Sequence, residues 1–125
     1  MNADLLIKIK NAQAVKNESV KVPFSKINLA ILDILKKNNY IETASPKTGA
    51  KKIIEVKLKY VNNHGAIHDI KLLSVPSRHL YIGYRDIRAV KQGYGVLILS
   101  TPRGIMDGKN AKKAKLGGEL LFEIW

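Results

Sequence analysis

Residues Ser100 to Glu119 read STPRGIMDGKNAKKAKLGGE, and the stretch stands between two segments of strand character. Before it, Val96-Leu97-Ile98-Leu99 has the length and branching of a buried strand; after it, LLFEIW alternates apolar and polar residues. Pro102 and Gly104 mark a tight turn at a strand end, which offers the Ser100 and Thr101 hydroxyls and nearby backbone N–H groups as a polar surface. Asp107 is positioned to cap a short helix with Lys109, Lys112 and Lys113 on one side and Ala111 and Ala114 on another, and Gly117-Gly118 is expected to end it. A basic loop and helix therefore sit between two strands. One helix face is cationic and the other is small enough to pack.

The whole chain has the same electrostatic character. Its 125 residues suffice for one globular unit or two small lobes with a modest core, and 46% hydrophobic content argues that they fold. Lys and Arg number 22 against 10 acids, a formal charge of +12. So much uncompensated charge opposes compaction unless a polyanion is the working partner, with nucleic acid ahead of a membrane surface. Residues 1 to 62 carry 12 basic and 5 acidic side chains and residues 63 to 125 carry 10 and 5, which implies a broad footprint instead of one charged tail. No cysteine is present, which excludes a disulfide framework, a thiolate metal site and a thiol nucleophile. No apolar run approaches bilayer length, and MNADLLIKIKNAQAVK lacks a signal peptide's apolar region and cleavage site, so the expectation is a soluble intracellular protein.

Upstream of the opening stretch, Leu5, Leu6, Ile9 and Ala12 recur at helical spacing from Asn2 to about Val15, with Asn2 or Asp4 available as cap. Ser19 to Pro23 is a short strand stopped by proline. Ser25 caps a second helix, in which Ile27, Ala30, Ile31, Ile34 and Leu35 form the core stripe and Asn38-Asn39 the end. Ser45 to Lys52 has loop composition, and Ile54, Val56, Leu58 and Tyr60 alternate with polar residues as one arm of a hairpin with one wet face. Asn62-Asn63-His64-Gly65 turns the chain out of this lobe. Ala66 to Val75 reads as strand, Ser77-Arg78-His79 as a turn into Leu80-Tyr81-Ile82, and Asp86 to Gln92 as a helical turn that Gly93-Tyr94-Gly95 joins to the buried strand.

The order Ser-Thr-x-x-Gly-Ile-Met, then a lysine-rich helix with Ala111 and Ala114, then Leu116-Gly117-Gly118-Glu119 and a closing strand ending in Trp125 resembles the C-terminal signature of the bacterial-type small-subunit ribosomal protein S eight family. Ile9-Lys10-Asn11-Ala12-Gln13, Val22-Pro23-x-Ser25-Lys26, Tyr40-Ile41-Glu42, Leu58-Lys59-Tyr60, Ser74-x-Pro76, Tyr81 and Gly93-x-Gly95 extend the resemblance over nearly the whole chain. The chain departs from the pattern at its late N-terminus, at Ser77 and Arg78 in place of Gly and an aliphatic residue, and at Pro102, often a second serine. The last change removes one hydroxyl donor. The resemblance implies a primary rRNA-binding protein of the cytoplasmic ribosome, a monomer within the ribonucleoprotein particle. It would bind a helix in the central domain of small-subunit rRNA and meet neighbouring small-subunit proteins during assembly. The second lobe would make most specific contacts, and the first would add phosphate and protein contacts.

The candidate RNA-binding residues are Ser100, Thr101, Pro102, Arg103, Gly104, Tyr81, Lys109, Lys112, Lys113, Gly117, Gly118 and Glu119. RNA's shallow minor groove exposes 2′-hydroxyls and base edges, which short hydroxyl side chains and backbone N–H groups on a rigid loop can read while lysines neutralise phosphates. Tyr81, matched to a family position at the RNA surface, is the preferred stacking residue and Tyr94 the second; both, with Tyr84, have the alternative reading of sheet-face aromatics. Glu119 reads as structural or orienting, since a polyanion repels an acid unless it accepts from a base amino group or a hydroxyl. Enzyme readings are poorly supported. His64 and His68 flank a turn glycine without a third metal ligand, Gly93-Tyr94-Gly95 lacks the third glycine of a dinucleotide loop, and the scattered acids form no carboxylate cluster. No cofactor and no membrane partner is expected. The expected fold is α+β in two small lobes: an N-terminal α-β-α-β-β lobe over residues 1–62, and a C-terminal β-rich lobe over residues 63–125 with one short helix. A non-ribosomal architectural binder of double-stranded RNA or DNA is the alternative function, and a small nuclease a third.

Overall fold

A computed structural model describes residues 4–75 and 77–125, with the side chains of Lys91 and Gln92 left aside. Asn2 as a helix cap and Pro76 as a family match lie outside the described residues. The α+β class holds, and the chain divides into two compact units, Met1–His68 and Asp69–Trp125.

In the first unit, helix α1 (Asp4–Ala14) buries Leu5, Leu6, Ile9 and Ala12 on one stripe, as the spacing predicts. The helix is closed by Lys16 at φ 57, which lets the Asn17 N–H return to the Ala12 carbonyl at 2.9 Å. Strand β1 (Ser19–Pro23) leads to helix α2 (Lys26–Lys37), whose cap is Ser25: its Oγ accepts from the Asn28 N–H at 3.0 Å. Such a cap stabilises a helix by about 1 kcal/mol. At the other end Asn39 takes φ 64 and the Tyr40 N–H reaches the Leu35 carbonyl. The buried stripe of α2 differs from the expected one by a rotation of one residue. Ile27 is 46% exposed, while Asn28, Ile31, Leu32 and Leu35 are buried. A buried asparagine is tolerable because its Nδ2 donates to the Pro23 carbonyl at 3.0 Å, satisfying a strand end that lies against the helix start.

Strands β2 (Ile41–Lys47) and β3 (Ile53–Leu58) complete an antiparallel sheet in the order β1-β3-β2. Ser45, Pro46 and Lys47, expected in the loop, belong to β2 and pair with Glu55, Ile54 and Ile53. Proline is admitted because β2 is an edge strand. Ile54, Val56 and Leu58 point into the core in the predicted alternation. Strands β4 (Tyr60–Val61) and β5 (His64–Gly65) form a hairpin around Asn62 and Asn63, at φ 52 and 66, the backbone a two-residue I′ turn demands. The Gln13 amide donates to the Ile67 carbonyl at 2.7 Å and accepts from the Ile67 N–H at 3.1 Å, so residues 63–68 stay with the first unit.

The second unit is organised on strand β10 (Gly118–Ile124). Strands β6 (Ile70–Leu72) and β7 (Tyr81–Ile82) pair with successive halves of its one edge, and β8 (Val96–Thr101) pairs with the other. β6 is shorter than the expected Ala66–Val75: past Leu72 the Leu73 and Ser74 N–H groups both turn to the Leu121 carbonyl, at the residue where the pairing of β10 with β8 has a bulge. The expected loop after Thr101 is instead strand β9 (Gly104–Asp107), paired with β8. Pro102 and Arg103 alone make the turn, and Gly104 at φ 114 admits the return. Helix α3 (Gly108–Lys113) follows, with Asp107 at its cap position and the Asp107 carboxylate accepting from Asn110 Nδ2 at 2.6 Å. Lys115 at φ 57 ends this helix, not Gly117-Gly118, and the Leu116 N–H returns to the Ala111 carbonyl at 2.9 Å. The predicted helical turn becomes two 3-10 segments, Tyr84–Asp86 and Val90–Gly93, which bring Ile87 and Val90 into a core with Leu97, Leu99 and Ala111.

Candidate nucleic-acid interface

Strand register assembles the centre of the site. Glu119 on β10 stands directly opposite Tyr81 on β7 and directly opposite Ser100 on β8. Residues opposed in an antiparallel ladder project from the same face with Cβ atoms roughly 5 Å apart. Tyr81, Glu119 and Ser100 therefore form one cross-strand row. Tyr81, at the end of the row, is 73% exposed. An apolar ring held that far into water on a short strand is available as a flat stacking surface.

The acid in the middle of the row is held in place. His79 Nδ1 lies 2.8 Å from Glu119 Oε2, and the Glu119 side chain retains only 22% exposure. The buried Ser74 hydroxyl accepts from the Leu80 N–H at 3.0 Å and helps His79 to favour the charged form of the carboxylate. The His79 hydrogen bond holds the Glu119 carboxyl below its ordinary value, against a smaller opposing effect of burial. Glu119 is thus an ionised acceptor at neutral pH.

The two hydroxyls of the turn have different roles. Thr101 is buried; its Oγ1 donates to the Gly104 carbonyl at 2.8 Å and accepts from the Arg103 N–H at 3.2 Å, so it braces the turn from within. Ser100 is only half-buried and stands in the row. Pro102, Arg103 and Gly104 are exposed at the tip, where proline fixes the backbone angle a turn requires. Gly117 and Gly118 act through their missing side chains. A Cβ on Gly118 would collide with the Ser100 carbonyl oxygen and one on Gly117 with the Ile82 carbonyl, so glycine is what lets β7, β10 and β8 close around the row.

The lysines occupy the other side of the sheet. Ala111 packs α3 onto Leu97 and Leu99, which alternate along β8 with Ser100, so α3 covers the face opposite the row. Lys109, Lys112 and Lys113 are exposed there, and Lys112 Nζ donates to the Ile87 carbonyl at 3.1 Å. Ser100, Glu119, Tyr81, the turn and the two glycines come together; the three lysines form a second, separate cationic edge. Neither His79 nor Ser74 is among the candidate RNA-binding residues expected from the sequence. The spacing His79-x-Tyr81, two residues apart on the approach to an extended segment, was the available signal.

An exposed ring, a hydroxyl and a fixed acceptor on a rigid sheet make a surface suited to contact. Among the described residues no group of three or more His, Cys, Asp or Glu could hold a metal ion, and no helix is long and apolar enough to cross a membrane. The fold and site define a small, basic α+β protein whose distinctive feature is the cross-strand row Tyr81–Glu119–Ser100. The family model described as Ribosomal protein S8 matches residues 1–125. The chain is 42% identical over 123 residues to small ribosomal subunit protein uS8 of Nitratidesulfovibrio vulgaris, covering 98% of this chain and 95% of that one. It is 45% identical over 125 residues to uS8c of Tupiella akineta and 44% identical to uS8 of Borrelia turicatae, each across 98% of this chain and 95% and 94% of the relative. The chain belongs to the ribosomal protein S8 family, whose members are structural proteins and not enzymes.

Proposed function

We propose that this chain is a structural constituent of the small ribosomal subunit and binds small-subunit rRNA directly through the Tyr81–Glu119–Ser100 row and the adjoining turn. The observation that carries the reading is the register that sets these three side chains side by side on one sheet face. Such a row fits the shallow groove or an irregular loop of RNA, where bases are accessible. Tyr81 stacks on an unpaired base, an interaction of about 1–3 kcal/mol. Ser100 and the backbone around Gly104 bond to 2′-hydroxyls or base edges, and Glu119 accepts from an exocyclic amino group or a 2′-hydroxyl. Arg103 at the tip and the α3 lysines neutralise phosphates on either side, which adds affinity without sequence choice.

The resemblance points to a helix in the central domain of small-subunit rRNA as target, to neighbouring small-subunit proteins as further partners, and to a monomer within the particle. The test is binding of the purified protein to fragments tiled across small-subunit rRNA, in competition with tRNA and random duplex. One irregular hairpin should outcompete both. Equal binding to bulk duplex would favour a general architectural binder, and divalent-dependent cleavage of any fragment would favour a nuclease.

A further inference from the structure

We infer that His79 is a positioning residue of the RNA surface: it clamps the Glu119 carboxylate between Tyr81 and Ser100 and thereby converts an acid that would repel RNA into a fixed acceptor for an amino or 2′-hydroxyl group. The inference rests on the RNA-binding reading above. It starts from a chemical conflict, because an ionised carboxylate lies in the centre of a surface meant for a polyanion. A free glutamate would swing through its rotamers and oppose the approach of phosphates. Here Oε2 is engaged by His79 Nδ1 at 2.8 Å, and the carboxylate side chain is only 22% exposed. A carboxylate offers about four acceptor sites. His79 occupies one from within the protein, which leaves the others aimed by the clamp and open to a donor on the ligand. His79 is 53% exposed on its side chain, so it sits at the surface as a brace and is not part of the core. The ligand group selected is a neutral N–H or O–H donor, as base amino groups and riboses provide and phosphates do not.

The experiment is a double-substitution cycle on the full chain, read as the ratio of affinities for the hairpin selected from tiled rRNA fragments and for a scrambled hairpin of the same length. His79→Ala should lower that ratio roughly tenfold, the size of one hydrogen bond to a charged group, with a fall in melting temperature no larger than that of Glu119→Gln. His79→Arg, which puts a donor within reach of the same carboxylate, should recover most of the loss. In a Glu119→Gln background His79→Ala should cost nothing more. An equal loss in that background would mean that His79 touches RNA itself and would overturn the clamp, as would an unchanged ratio in His79→Ala. His79→Gln, retaining a neutral donor, replaces the alanine variant if the latter melts early. A wild-type protein without any hairpin preference would instead remove the RNA-binding reading, and the inference with it.

Discussion

At the scale of single residues, two adjacent hydroxyls in the turn make opposite predictions. Thr101→Val leaves the Arg103 N–H and the Gly104 carbonyl without their partner beside a buried position, and should destabilise the protein by about 1–3 kcal/mol, visible as a lower melting temperature. Any loss of RNA binding should track the unfolded fraction. Ser100→Ala removes a half-buried hydroxyl from the contact row and should leave melting unchanged while weakening preference for the cognate hairpin over a scrambled one. If Ser100→Ala binds like wild type, the discrimination lies in Tyr81 or the backbone at Gly104. A sequence shows only Ser-Thr; which hydroxyl turns inward depends on strand alternation after Leu99, and β9 supplies the inward one with its acceptor. Glu119 adds a pH dependence. Its carboxyl is lowered on folding, chiefly by the His79 hydrogen bond, so its contribution to stability is present above the unfolded value near 4.5 and is lost as pH falls through the lower folded value. The melting difference between wild type and Glu119→Gln should therefore shrink on acidification from pH 6 toward 3, and a difference that persists unchanged would separate Glu119 from the stability of this face.

At the scale of elements, helices and strands were legible where one face is apolar: Leu5, Leu6, Ile9 and Ala12 mark α1, and Ile54, Val56 and Leu58 mark β3. Ser25 and Asn39 gave α2 both its ends. What could not be read was which residues the sheet would bring beside each other. β9 looked like loop because Gly104-Ile105-Met106-Asp107 is too short and mixed to declare itself; pairing with β8 makes it a strand. Gly117-Gly118 looked like a helix stop, because a glycine needed for close approach and one needed for positive φ look the same in a sequence. The two roles predict different outcomes. Gly118→Ala drives a methyl group into the Ser100 carbonyl and should cost about 1–3 kcal/mol or more, with faster amide exchange in β8 and β10. Were the glycine only a helix terminator, α3 would fray and the sheet amides would keep their protection. On α3 itself, the lysines also part company. Lys113→Ala should lower the salt dependence of RNA binding by about one unit if Lys113 meets a phosphate, whereas Lys112→Ala should lose stability as well, since its ammonium is tied to the Ile87 carbonyl.

At the scale of the whole molecule, the proposed function assigns range to the +12 charge and choice to the polar row. Charge is spread over both units, each with about twice as many cations as acids, and acts on any polyanion. The row is confined to one face of the second unit and contains a single acid that is already engaged by His79. Charge was fully legible in the sequence, because counting suffices. The members of the row were legible one by one but not as neighbours, because they lie at positions 81, 100 and 119 and meet through ladder register. These two contributions should separate in a salt titration. If phosphate neutralisation supplies most of the affinity, log K for rRNA fragments should fall linearly with log salt, with a slope near −0.9 per phosphate contacted on a duplex and about −0.7 on single strands. The ratio of cognate to scrambled hairpin should change little over the same range, since hydrogen bonds and stacking release no counterions. Tyr81→Ala should lower the ratio and leave the slope in place, and substitution of Arg103 or Lys113 by alanine should do the reverse. A slope near zero would show that the surplus charge has another use, and a ratio that collapses with salt would put sequence choice in the cations instead of the row.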